Sequence, residues 1–507
     1  MSVDAVLSEA LAHHRAGRLD RAAALYERVL AARPNHADAL HLLGLIAHQR
    51  GDQARARDLI ARALRRQPDN PVFLNNLASV LLAQREPQAA CALLERAVRA
   101  KPDYADALNN LGNAQMQLDR AEDALAAYDD ALTLRPDDPQ TLNNLGSALK
   151  ALGRLADAEA SFAHAIARAP NYATAHANHG LVLHAMGHYD AAAAAYERAL
   201  AIEPDHATAR ANRAVLLLLR GDFESGWREY AWRWRVDGFT TPRRAFDQPQ
   251  WDGAPLDGRT IFLHAEQGIG SAIQFVRYVD KVAAAGGRIV LECQPPLGRL
   301  FTQSFAGGPV EAVVVKGEAP SAFDVHLPLM SLPERCRTTL ATIPARVPYL
   351  VADANACARW QRRLAIAPRP RVGLVWAGNP RHANDRNRSA PADVFAPLIG
   401  LGGTLYSLQV GAEQGVAAFA AGAVTDLAPE LTDFAETAAA LTALDLVISV
   451  DTAVAHLAGA LGVAVWLLLP FAPEWRWLLD REDSPWYPTA HLFRQPVQGD
   501  WDSVVAR

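Results

Sequence analysis

Three groups of residues in the last half of the chain carry the types and spacing that chemistry needs. The first is Asp451-Thr452-Ala453-Val454-Ala455-His456, which follows an apolar run read as a strand (445–450) and opens a helix to Leu461. A hydroxyl and the free backbone amides of an opening helix suit a phosphate, and His456 comes about one turn later on the same side. The same residues also have plainer uses. Asp451 and Thr452 can simply cap the helix, and His456 among Ala and Leu can be a satisfied core histidine. The second group is Arg381, His382, Arg386 and Arg388, in the loop that follows a strand at 371–376 and the turn Ala377-Gly378-Asn379-Pro380. There the cations either meet a diphosphate or belong to a solvated connector. The third is the turn Glu266-Gln267-Gly268-Ile269-Gly270-Ser271 after the short apolar strand Thr260–His264.

Such groups need a frame. Beyond the turn at 266–271 a helix is expected over 272–285 and strands over 288–292, 310–315 and 323–327. A second block runs strand 371–376, helix 392–399, strand 404–409, helices 412–421 and 433–443, strand 445–450, helix to Leu461, and a closing strand 463–469. This strand–loop–helix–strand rhythm predicts parallel sheets with crossover helices. Two Rossmann-like lobes are expected, residues 259–365 and 366–507, with ligands at the carboxyl ends of the strands.

The first half obeys a different rule. Prolines recur every 34 residues at Pro34, Pro68, Pro102, Pro136, Pro170 and Pro204, each followed by Asn or Asp. In the same register come small residues (Gly44, Ala78, Gly112, Gly146, Gly180), alanines from Ala22 to Ala192, and a bulky set from Tyr26 to Tyr196. A turn glycine keeps step at Gly17, Gly51, Gly153, Gly187 and Gly221, with Arg85 and Asp119 in the two gaps. This is the tetratricopeptide period of two helices per repeat. One hairpin cannot bury its apolar face, so the hairpins must stack. An α-solenoid is predicted over 1–235, six full repeats and a partial seventh, with a connector at 236–258 packed on the last repeat. One position is asparagine five times running, Asn76, Asn110, Asn144, Asn178 and Asn212, while Ser8 and Leu42 break the row. An amide offers a donor and an acceptor together, so the row can hold a peptide backbone or can only bond neighbouring repeats.

Composition narrows the class. The chain has 507 residues, half of them hydrophobic, and 50 Lys+Arg against 55 Asp+Glu, which disfavours disorder and nucleic-acid binding. All 11 tryptophans lie at or beyond Trp227, so two kinds of protein share the chain. Four scattered cysteines indicate neither a zinc site nor a disulfide framework. Polar residues interrupt the N-terminal run and no apolar stretch reaches membrane length, which predicts a cytoplasmic protein with no membrane span.

The motifs Asp451-Thr452, His456-Leu457-Ala458 and Ala460-Leu461-Gly462-Val463 resemble the donor side of heptosyltransferase-type glycosyltransferases (family 9, GT-B fold). Residues 376–389, 445–470 and 474–495 are similar to bacterial proteins that fuse tetratricopeptide repeats to such a domain. The asparagine row resembles the ladder of the eukaryotic O-linked N-acetylglucosamine transferases. The resemblance covers nearly the whole chain and implies a metal-independent enzyme using a nucleotide-sugar donor and no cofactor. It implies donor contacts from Arg381, Arg386, Arg388, Asp451, Thr452 and His456, with Arg388 near the family's phosphate-contacting lysine and Asp451 beside the donor sugar or ribose. Gln267, Gly268 and Gly270 fall in the acceptor loop.

Two positions depart from the family. Its usual loop is Gly-x-Gly-Asp, the Asp being the presumed base, and here Ser271 stands in that place. A neutral hydroxyl cannot serve as a base near pH 7, and Glu266 on the same turn is the nearest substitute. Val410 replaces a frequent lysine. Asp500-Trp501-Asp502 resembles a metal-binding pair but lies at the terminus, and no metal is expected. The resulting expectation is transfer of a sugar to a polypeptide held by the repeats. A scaffold with an inactive transferase domain and a glycan or lipopolysaccharide glycosyltransferase are the alternatives.

Overall fold

A computed structural model describes residues 2–239, 241–382, 384–411 and 415–507. It divides into two compact units, Met1–Pro204 and Asp205–Arg507.

The first unit is an α-solenoid. Helices of 13 and 14 residues alternate from Val3–Arg15 and Leu19–Ala32 to Ala173–Ala185 and Tyr189–Ile202. The 34-residue register has a local cause at each point. Asn70 and Asp138 accept backbone N–H bonds at helix starts where Pro71 and Pro139 occupy the first turn, a position where the missing N–H costs nothing. The turn between the two helices of each repeat needs a left-handed residue, and Gly17, Gly51, Gly153 and Gly187 supply it with φ of 70–80°. Arg85 and Asp119, which fill the gaps in the glycine series, adopt the same conformation at φ 63° and 58°. Where helices cross, small faces large. A Cβ on Gly146 would lie 2.8 Å from Phe162 Cζ, and one on Gly180 2.6 Å from Tyr196 Cε1. Both aromatics are fully buried.

The second unit opens with helices Ala207–Leu219 and Phe223–Tyr230 and a 3₁₀ turn, Ala231–Arg235. Trp227 meets Trp475 edge-on at 5.1 Å, and Phe223, Phe275 and Trp486 complete an aromatic cluster around the pair. The connector runs along the first sheet, and near its start Phe239 meets the Trp234 ring of the last, partial repeat edge-on at 5.3 Å. Trp251 N donates to His326 O at 2.9 Å, and Phe246 packs on Phe262 and Phe323.

That sheet comprises β1 (Thr260–His264), β2 (Arg288–Cys293), β3 (Val310–Val315) and β4 (Val325–Pro328), all parallel in the order β3-β2-β1-β4. A second parallel sheet holds β5 (Arg371–Val375), β6 (Thr404–Ser407), β7 (Val424–Asp426), β8 (Leu446–Val450), β9 (Val465–Leu469) and β10 (Ala490–Arg494), in the order β10-β9-β8-β5-β6-β7. Counted from β5 this is 3-2-1-4-5-6, the order of dinucleotide-binding sheets, with its reversal between β5 and β8. The α/β expectation therefore holds at the level of parallel sheets.

Several elements differ from the sequence reading. The helix expected over 272–285 is broken into Ile269–Phe275, a 3₁₀ turn and Val279–Ala284. At the break Arg277 Nε donates to Gln274 O at 2.9 Å, a side chain entering the helical ladder. Strand 463–469 does not close its sheet, because β10 pairs beyond it after a tryptophan-rich stretch with no crossover α-helix. β7, three residues long, is also an addition. Of the helix expected at 412–421, residues 412–414 lie outside the described residues, and Gly415–Ala418 forms a 3₁₀ turn.

Candidate functional site

The two sheets bring the glycine turn and the 451–456 turn face to face. A Cβ on Gly270 would lie 2.8 Å from His456 Cδ2 and 3.6 Å from Ala453 Cα, so only glycine lets the loop after β1 approach the helix after β8. That helix, Ala453–Leu461, starts at Thr452 without a side-chain cap. Thr452 Oγ1 instead meets Ser449 Oγ at 3.0 Å, which leaves the amides of the first turn to other acceptors.

His456 is buried. Its ring stacks on Trp477, its Nδ1 lies 2.8 Å from the Tyr487 hydroxyl, and its Nε2 lies 3.8 Å from Asp451 Oδ1. Burial, followed by the charges of Arg476, Arg277 and Arg388, pushes its pKa well below the usual value. It is therefore neutral at pH 7, and its Nε2 lies beyond hydrogen-bond distance of Asp451. The plain reading of the histidine, a satisfied core residue, and the functional one share this geometry.

Arg388 joins the second group to the first. Its Nε contacts Asp385 Oδ1 at 3.1 Å, and its Nη1 donates to Asp451 O at 3.2 Å. The bond spans the reversal point between β5 and β8. Gly378 is held small by this arrangement, since a Cβ there would lie 2.5 Å from Arg388 Nη2. Gln409 secures the same loop, its Oε1 accepting from Trp376 N and Ala377 N at 3.1 and 2.9 Å. Arg381 and Arg386 are exposed farther along the loop, and Val410 is exposed beside it.

Glu266 corrects an expectation. Its carboxylate is 1% exposed and is gripped by Arg233, which also donates to Ser331 Oγ at 2.9 Å. Burial raises its pKa while Arg233 opposes the rise. A carboxylate so enclosed ties the end of the helical hairpin to the loop after β1 and does not suit a proton acceptor. Gln267 holds the loop from the other side, its N donating to Thr241 Oγ1 at 2.9 Å and its Nε2 to the Tyr230 hydroxyl at 3.2 Å.

Two residues escaped the sequence reading. Arg476 Nη2 donates to Ser271 Oγ at 3.0 Å, its Nε to Gln274 Oε1, and its Nη1 pairs with Glu474 Oε1. Glu474 lies two-thirds buried. Burial lifts its pKa to about 7, against the lowering by Arg476 and helped by Asp451. Their position inside the similar stretch 474–495 was the signal that could have found them. Trp501 is a core residue and Asp500 Oδ1 accepts from Ser503 N. Among the described residues no three His, Cys, Asp or Glu side chains gather to hold a metal ion.

In the repeats, the asparagine amides bond to neighbouring repeats. Asn76 Nδ2 lies 2.7 Å from His41 Nε2. Asn110, Asn144 and Asn178 donate to Asn75, Asn109 and Asn143 Oδ1 at 2.9, 3.0 and 2.9 Å. A second asparagine column, not singled out in the sequence, thus receives the first. Asn212 lies on the second unit's opening helix.

Comparison with known proteins identifies the class of the first unit. Residues 7–71 and 75–139 match one tetratricopeptide repeat family model, and residues 137–205 match another. Residues 7–205 are tetratricopeptide repeats. Protein FlbA of Caulobacter vibrioides is 28% identical over 308 residues, covering 56% of this chain and 51% of FlbA. The chain spans about half the length of that curated relative. Among solved structures, MamA is 23% identical over 33% of this chain and 91% of its own, with a TM-score of 0.30. YrrB, described as a TPR protein with an unusual peptide-binding site, is 21% identical over 37% of this chain and 97% of its own, with a TM-score of 0.31. No helix among the described residues is long and apolar enough to cross a membrane.

Proposed function

We propose that the chain is a cytoplasmic, metal-independent glycosyltransferase of the GT-B type. In this reading residues 1–235 hold an acceptor polypeptide, 236–258 connect, and the halves 259–365 and 366–507 bind acceptor and nucleotide-sugar donor. The observation that carries it is the meeting of Arg388 with the Asp451 carbonyl at the reversal point of the second sheet. There an uncapped helix start and nearby cations suit a diphosphate leaving group. Arg381, Arg386, Arg388, Asp451 and Thr452 serve the donor, with His456 neutral behind Asp451. Gln267, Gly268, Gly270 and Ser271 line the acceptor side.

Incubating the whole protein with cell extract and UDP-, GDP-, ADP- and dTDP-linked sugars tests the reading, with sugar on a polypeptide as the expected result. No transfer and no donor hydrolysis with any of them would end it. A second reading, a protein-binding scaffold with an inactive α/β half, is favoured by Ser271 and by the enclosure of Glu266. It predicts that a nucleoside diphosphate raises the melting temperature while no donor is turned over.

A further inference from the structure

The enclosure of Glu266 and the neutrality of Ser271 leave the proposed reaction without a proton acceptor at the glycine turn, and the remaining geometry points to another. Among the described residues Arg476 pairs with the Glu474 carboxylate, and the same guanidinium also holds Ser271 and Gln274. One guanidinium thus links Glu474, through Nη1, to the turn that carries Ser271, through Nη2. Its Oε2 accepts from Arg476 N at 2.9 Å, which leaves lone pairs free on both oxygens. Unlike Glu266, its side chain reaches solvent. Gln274, which shares Arg476 with Glu474, and Trp477 each bury a donor, Nε2 and Nε1, without a partner among the described residues.

We propose that Glu474 is the catalytic base of the transfer, accepting the proton of the acceptor hydroxyl, with Arg476 as its positioning residue. This rests on the glycosyltransferase reading. The acceptor oxygen forms a bond to the anomeric carbon as the bond from that carbon to the diphosphate oxygen breaks. The electron pair leaves with the nucleoside diphosphate, and the proton passes to Glu474 and then to water. The groups facing Glu474 are Arg476, which favours its charged form, and Asp451, which opposes it. Burial sets the balance, so the carboxylate titrates near neutrality, where a base is most effective.

The test compares wild type, Glu474→Gln, Glu474→Asp and the double variant Glu474→Gln/Ser271→Asp, using whichever nucleotide sugar of the panel wild type consumes. Glu474→Gln is expected to cut transfer roughly 100-fold or more and to abolish the rise of rate with pH through about 7. It should leave unchanged the melting-temperature shift given by the matching nucleoside diphosphate. Glu474→Asp should keep the pH limb at a reduced rate. Asp at 271, beside the same guanidinium, should restore part of the lost activity. Transfer by Glu474→Gln within about threefold of wild type, far above the loss expected for a missing base, or with its pH limb intact, would overturn the assignment and leave the glycosyltransferase reading standing. No turnover by wild type with any donor would instead overturn both.

Discussion

Arg233 closes on Glu266 through three contacts, Nε to Oε1 at 3.1 Å and Nη2 to Oε1 and Oε2 at 2.9 and 3.1 Å, and the side chains are 6% and 0% exposed. The pair clamps the turn after the helical hairpin, Ala231–Arg235, to the loop that carries the candidate acceptor residues.

Removing one partner of such a pair strands a buried charge. Glu266→Gln should destabilise the second unit by about 3–5 kcal/mol, whereas Arg233→Met with Glu266→Leu should recover most of that loss. Tryptophan fluorescence during denaturant unfolding reads the second unit alone, because every tryptophan lies at or beyond Trp227. An unchanged midpoint for Glu266→Gln would contradict the clamp.

Far-UV circular dichroism, combined with fluorescence, isolates the repeats. Gly146→Ala would press a methyl onto the Phe162 ring and should cost about 1–3 kcal/mol. In a Phe162→Leu background the same change should cost about 1 kcal/mol less, since contacting residues couple. Strict additivity would show that the two do not meet.

Asn110→Ala removes bonds to Asn75 Oδ1 and Ser79 Oγ at 2.9 and 3.3 Å. A loss of about 1 kcal/mol is expected with no peptide present. Faster hydrogen exchange should be confined to helices Pro71–Ala83 and Ala105–Gln117, since each repeat couples only to its neighbours. Unchanged exchange would assign the amide to a bound partner instead of to the stack.

Glu474 makes stability depend on pH with a defined sign. Its pKa rises from 4.5 to about 7 on folding, so between these values the folded state holds a proton that the unfolded state releases. Its contribution is full below about pH 4.5 and is lost as pH rises to about 7. Glu474→Gln should flatten the fall in fluorescence midpoint across that window, and an unchanged slope would remove Glu474 as its source.

The repeat half was legible in fine detail because its structure is local. A 34-residue register places a left-handed turn at Arg85 and Asp119 as surely as at Gly51, since neighbours in sequence are neighbours in the stack. Strands β1 and β5 and the turn at Asp451 were legible for the same reason, each being an apolar run ending in a polar loop. β10 was not, because no crossover α-helix announces it and its pairing with β9 is chosen by the sheet.

What sequence alone determined is therefore the solenoid, the parallel α/β character and the candidate groups at strand ends. Tertiary structure alone decided how those groups are used. It turned Glu266 inward to Arg233, bound the asparagine amides to the preceding repeat, and brought Arg476 from residue 476 to Ser271 across 205 positions. Helical turns and caps are fixed by interactions within a few residues. The partner of a buried charge is fixed by which distant side chain folding leaves beside it, and no local pattern encodes that.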